Sequence, residues 1–176
     1  MLLLVALFSL TKAAIPILYS PGAQVLTMVP TPVYLIFYGS FTPLQTSVIV
    51  NFVQGISRTT YWNINKKYTS TTGPSTSSLI VAKYIIDSYS QGTSLIPGSI
   101  PIIIRRQISL GQIAESSDAI YLVIASPDVT EQFTDQRITT NYYPMHFCKE
   151  YCAYHQTFQT SSTTVLKYAF IGVPPY

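Results

Sequence analysis

The chain has 176 residues, enough for one domain with a real hydrophobic core. Hydrophobic residues make up 48% and charged residues only 10%, so solubility falls to Ser, Thr, Asn, Gln and the hydroxyls of 14 tyrosines, a balance that suits extracellular and wall-associated proteins better than intracellular ones. The net charge of +3 is scattered, with Lys66-Lys67 and Arg105-Arg106 the only basic doublets, which argues against a nucleic-acid-binding stripe.

Residues 1–10 (MLLLVALFSL) form an apolar leader. Thr11-Lys12-Ala13 followed by Ala14 is the nearest cleavage pattern, and Pro16 breaks the run where a mature chain would begin. The expectation is a signal peptide over residues 1–13 and a secreted product. A buried N-terminal strand or helix is the alternative, since the leader carries no Lys or Arg before its apolar run. The leader is too short to span a bilayer, and no later apolar run reaches about 18 residues, so no membrane association is expected after its removal.

Residues 33–38 (VYLIFY), between Pro30-Thr31-Pro32 and Gly39-Ser40, predict a strand buried on both faces. Thr42-Pro43-Leu44-Gln45 predicts a helix start: Thr42 caps, Pro43 suits the first position, and Gln45 completes a capping box. Leu44, Val48, Phe52, Val53 and Ile56 recur at helical spacing up to Gly55, a plausible stop. Residues 61–68 predict a short helix or turn, and 69–78 (TSTTGPSTSS) a polar loop. Residues 79–86 (LIVAKYII) predict a second strand. Residues 100–104 have strand composition, but Ile100, Ile104 and Ile108 repeat every fourth residue between Pro101 and Gly111, which favours a helix. Residues 119–125 (AIYLVIA) and 165–172 (VLKYAFIG) predict two further strands. This order gives an α/β fold, a single mixed sheet flanked by helices.

Five segments in order resemble one family. They are Tyr38-Gly39-Ser40-Phe41-Thr42-Pro43-Leu44-Gln45; Tyr61-Trp62 with Tyr68; the strand leading to Pro127-Asp128-Val129; Phe147-Cys148-x-x-x-Cys152-Ala153-Tyr154-His155; and Tyr168-Ala169-Phe170-Ile171-Gly172. Together they resemble the Exordium, or phosphate-induced protein 1, family over most of residues 22–172. The resemblance implies a secreted protein of the apoplast or cell wall, associated with growth and cell expansion, with no established catalysis. Ala153 departs from the family's glycine at that position. The family pattern continues beyond the last strand into a second C-x-x-x-C segment, and in some branches into an H-E-L-x-E helix of metallopeptidase type; residues 22–176 correspond to its N-terminal half.

His146, Cys148, Cys152 and His155 place four potential zinc donors in ten residues, but their spacing differs from common zinc patterns and an oxidising compartment would consume the thiols. A local Cys148–Cys152 disulfide, which one helical turn can just accommodate, is the first expectation; a free or intermolecular pair and a metal site are the alternatives. A Cys152–His155 nucleophile is disfavoured, because catalytic pairs usually meet from distant positions. Asp128 and Glu131 follow a strand end, where sites in open α/β sheets gather, although Asp128 also reads as a cap after Pro127. Tyr61, Trp62 and Tyr68 with Asp128 and His155 form the candidate ligand surface, an aromatic platform for sugar rings; tyrosine's general preference for strands and half-buried surfaces is the plainer reading. No catalytic residue and no cofactor is assigned. The expected partners are wall polysaccharide or an extracellular protein. The alternative is a remnant of a metallopeptidase-like enzyme lacking its zinc-binding helix.

Overall fold

In a computed structural model of the chain, the described residues are 26, 28–70, 73–76, 78–134 and 144–173; the leader and the terminal Pro174-Pro175-Tyr176 lie outside them. The elements run β1 (Thr31–Tyr38), α1 (Pro43–Ile56), a 3₁₀ helix (Tyr61–Lys67), β2 (Thr69–Ser70), β3 (Gly73–Pro74), β4 (Leu79–Asp87), β5 (Ser94–Leu95), α2 (Ser99–Ser109), β6 (Ile120–Ala125), β7 (Thr130–Thr134), β8 (Pro144–His146), β9 (Ala153–Gln159) and β10 (Val165–Gly172). The main sheet has the order β4-β1-β6-β10-β9, parallel except for β9, which pairs antiparallel with β10. Small sheets β2-β3 and β5-β7-β8 lie beside it. The α/β class and the mixed sheet flanked by helices are as expected.

β1 is central because its sequence is apolar on both faces. Leu35, Ile36, Phe37 and Tyr38 are fully buried, each contributing roughly 1.5–3 kcal/mol by burial. Val33, Leu35 and Phe37 pack with Val53 of α1, whereas Ile36 and Tyr38 pack with Ile100, Ile103 and Ile104 of α2. The two helices therefore take opposite faces. Topology requires this: β1 steps outward to β4, the chain then crosses back past β1 to β6, and right-handed crossovers in opposite directions put their helices on opposite sides.

The start of α1 matches expectation. Gln45 N–H donates to Thr42 Oγ1 at 3.2 Å and Thr42 N–H donates to Gln45 Oε1 at 2.8 Å, with Pro43 in the first turn. Of the apolar residues at helical spacing, only Val53 turns fully inward. Leu44, Val48 and Phe52 are 73%, 58% and 63% exposed, while Thr46 and Val53 are buried and Ile49 and Val50 are partly buried against the sheet. The helix carries two apolar stripes on roughly opposite sides, and the sheet selects the one containing Val53. α2 confirms the fourfold isoleucine spacing, and its Gln107 Nε2 donates to buried Asp87 Oδ2 at 2.8 Å.

The residues after β1 and β6 meet closely. Gly39 has φ +107°, and a Cβ there would lie 1.9 Å from Ser126 Oγ. Ser40 N–H donates to Ser126 Oγ at 3.2 Å. Ser126 Oγ and Tyr89 OH donate to Asp128 Oδ1 and Oδ2, both at 2.5 Å. Replacing Thr42 with Ala removes the cap that begins α1, and urea denaturation is expected to show a loss of about 1 kcal/mol with unchanged m; an unaltered midpoint would mean the cap carries no stability.

Candidate functional site

A helix about 10 Å across covers about two strands spaced about 4.8 Å apart. α1 lies over β4 and β1, and the same face of the sheet beyond β6 is left open. A groove of about 1470 Å³ occupies that half. Its floor is Ile120 at the start of β6, Val165, Lys167 and Ala169 of β10, and His155 and Thr157 of β9. The last two stand directly across from Ala169 and Lys167 in the antiparallel register. Trp62, Asn65 and Tyr68 from the 3₁₀ helix and its end, with Ser75 and Thr76, also line it. The indole Nε1–H of Trp62 donates to the Thr76 carbonyl at 3.4 Å, which ties the 3₁₀ helix to that segment and orients the ring. Lys167 Nζ donates to the Ser117 carbonyl at 2.6 Å.

The structure thus brings Trp62, Tyr68 and His155 together across more than eighty residues of sequence. Tyr61 is on the same short helix and 68% exposed but does not line the groove. Asp128 belongs to the other end of the sheet, beyond the carboxyl terminus of β6. Hydrogen bonds from Ser126 and then Tyr89 hold its carboxyl below the usual aspartate range, and its bond to Asp128 pushes the Tyr89 hydroxyl up. Both Asp128 oxygens are engaged in tying loops, the capping kind of role. Asn65, Gln156, Thr157 and Lys167 were not singled out from sequence. The signal that would have found the β9 pair is the alternation of Tyr154 and Phe158 with polar residues in AYHQTFQ.

Cys148 and Cys152 are not bonded to each other in the structure. The segment is not the helical turn that the expected bridge relied on. Cys148 sits at φ +65° in a tight turn, its N–H donating to the Tyr151 carbonyl at 2.8 Å, and Phe147 and Tyr151 form a β-bridge around it. Burial, and then the proximity of Cys152, push the Cys148 thiol up. Among the described residues no three of His, Cys, Asp and Glu are close enough to share a metal ion.

The phosphate-induced protein 1 conserved region matches residues 18–175. The chain is similar to the protein EXORDIUM-like 5 of Arabidopsis thaliana, 28% identical over 160 residues that cover 84% of this chain and 40% of that protein. It is also similar to EXORDIUM-like 4 of the same plant, 36% identical over 106 residues, covering 54% of this chain and 35% of that one. The chain therefore spans well under half the length of these relatives. No solved structure gives a significant match.

On the sheet's other face, Glu131 of β7 is 2% exposed. Its Oε1 accepts from Tyr154 OH at 3.3 Å, and its Oε2 has no hydrogen-bond partner among the described residues. Tyr151 OH donates to its main-chain carbonyl at 3.2 Å, and Tyr168 stands near enough to feel its charge. Burial, only partly offset by the Tyr154 hydrogen bond, pushes its carboxyl up to about 7. The folded protein thus holds the proton that the unfolded chain releases near the ordinary value of 4.5. The neutral group's contribution is complete below that value and is lost as pH climbs to about 7, a fall of about 3 kcal/mol. Glu131→Gln, which keeps the shape and removes the titration, is expected to flatten stability between those pH values in urea melts; a slope equal to that of the parent protein would assign it to other groups.

Proposed function

The chain belongs to the phosphate-induced protein 1 family, and on that premise we propose that it acts outside the cell as a non-catalytic wall or matrix protein of the Exordium type, binding polysaccharide in the groove and serving growth and cell expansion. The observation that carries the reading is the joining of Trp62 and Tyr68 with Asn65, His155 and Thr157 around one open groove. Sugar rings present apolar C–H faces bordered by hydroxyls. Aromatic side chains with rigid rings cover the former, and amide and imidazole groups hydrogen-bond the latter. The groove is open to solvent, which suits part of a polymer better than an enclosed small molecule. The low charge and hydroxyl-rich composition support an extracellular setting.

Protein recovered from the medium of expressing plant cells, applied to an array of wall glycans, tests both parts. Binding is expected, with Trp62→Ala weakening it by roughly tenfold and Trp62→Phe retaining most of it. Retention of the chain inside the cell would refute secretion. Absence of binding to every wall glycan, or equal binding by Trp62→Ala, would refute the groove.

A further inference from the structure

We propose that the groove selects a carboxylate-bearing polysaccharide, a polyuronate, with Lys167 as its anion contact; this rests on the glycan reading above and adds the ligand's chemical class. The chain has seven acidic residues, and none of them lines the groove among the described residues. Its charged and chargeable lining groups are Lys167 and His155, both capable of facing an anion. Lys66 and Lys67, exposed at the end of the 3₁₀ helix, follow Asn65 and precede Tyr68, both of which line the groove. Among the described residues the lining itself therefore carries cationic but no acidic side chains, the nearest acid in sequence to it being Asp118, next to Ser117. A neutral glycan would make no use of that asymmetry, and a cationic one would be repelled.

Lys167 is placed for the task. An ammonium has three donor hydrogens, and among the described residues that of Lys167 makes one hydrogen bond, to the Ser117 carbonyl at 2.6 Å. That bond pins the head of an otherwise flexible side chain and leaves donors for an incoming carboxylate. Thr157, directly across the strand pair, and Asn65 offer neutral partners for the hydroxyls of the same sugar. A charge-assisted hydrogen bond is about twice as strong as a neutral one, and a polyuronate presents a carboxylate on each residue.

The test compares a polygalacturonate oligomer with its carboxyl-reduced, uncharged counterpart by titration calorimetry on the full chain. The acidic oligomer is expected to bind at least about tenfold more tightly at low salt, with the advantage shrinking at high salt as the charges are screened. Lys167→Gln is expected to abolish the preference while leaving binding of the uncharged oligomer, and Lys167→Arg to retain it. Trp62→Ala weakens both oligomers alike. Equal affinities for the two oligomers in the parent protein overturn the polyuronate assignment and leave the glycan reading standing. A preference that persists in Lys167→Gln overturns the role of Lys167. Failure of both oligomers and of every glycan on the array overturns the two readings together. The salt series on the parent protein keeps the assignment open to refutation even where Lys167→Gln fails to fold.

Discussion

β1 runs parallel to β4 on one edge and to β6 on the other, with helices over both faces, and this double burial places everything else. A strand so enclosed is paired along both edges from Val33 to Tyr38 and has its alternate side chains divided between two cores. Tyr38, the last residue of β1, is fully buried, yet its hydroxyl donates to the Gly92 carbonyl at 2.7 Å and accepts from Gln91 N–H at 2.8 Å. The core thereby locks the loop after β4. Because the crossovers diverge from β1 in opposite directions, each face receives one helix. On the α1 side that one helix does not reach across five strands, and the groove is the geometric remainder.

In open α/β sheets the ordinary place for a ligand is the crevice at the carboxyl ends of the strands where the winding reverses, here between β1 and β6. In this chain that crevice is bridged. Gly39 lets its backbone approach Ser126 to a distance no side chain could share, and Ser126, Asp128 and Tyr89 complete the tie. Asp128 drew notice from sequence because it follows a strand end. Its hydrogen bonds tie its own loop to that of Tyr89, with Ser126 reaching the loop after β1, while the aromatic groups gather around the start of β6 and the first half of β10.

The central strands were legible because each carries a strong local signal: continuous apolar runs in β1 and β6, a capping box before α1, and fourfold isoleucines in α2. What failed was what depends on a neighbour. The inward stripe of α1 could not be chosen from its sequence, since Leu44, Val48 and Phe52 are as apolar as Ile49, Val50 and Val53, and the sheet decides. β9 was hidden by the cysteines at its start, which drew attention to a helical spacing when the residues after them alternate as a strand. β5 and β8 are two and three residues long and exist through pairing with β7, not through propensity. Of the candidate surface, the three members that meet were found by residue type; their meeting is a product of strand order, which no single segment encodes.

The pattern of β10 distinguishes the groove from a patch of core left bare. Leu166, Tyr168 and Phe170 are at most 3% exposed and face the α2 core. A strand buried on both faces, such as β1 from Val33 to Tyr38, is apolar or aromatic at every position. β10 instead puts Lys167 between its buried residues and sets it opposite Thr157, with His155 opposite Ala169. Covering that face with an apolar helix would bury an ammonium without a counter-charge, at a cost of several kcal/mol. Water or a polar, anionic ligand meets no such penalty. The apolar contribution to the groove comes from Ile120 and Val165 along the floor and the rings of Trp62 and Tyr68 beside them. The groove thus sets apolar and aromatic groups beside an ammonium and polar side chains, a combination that a buried face of this sheet could not have kept.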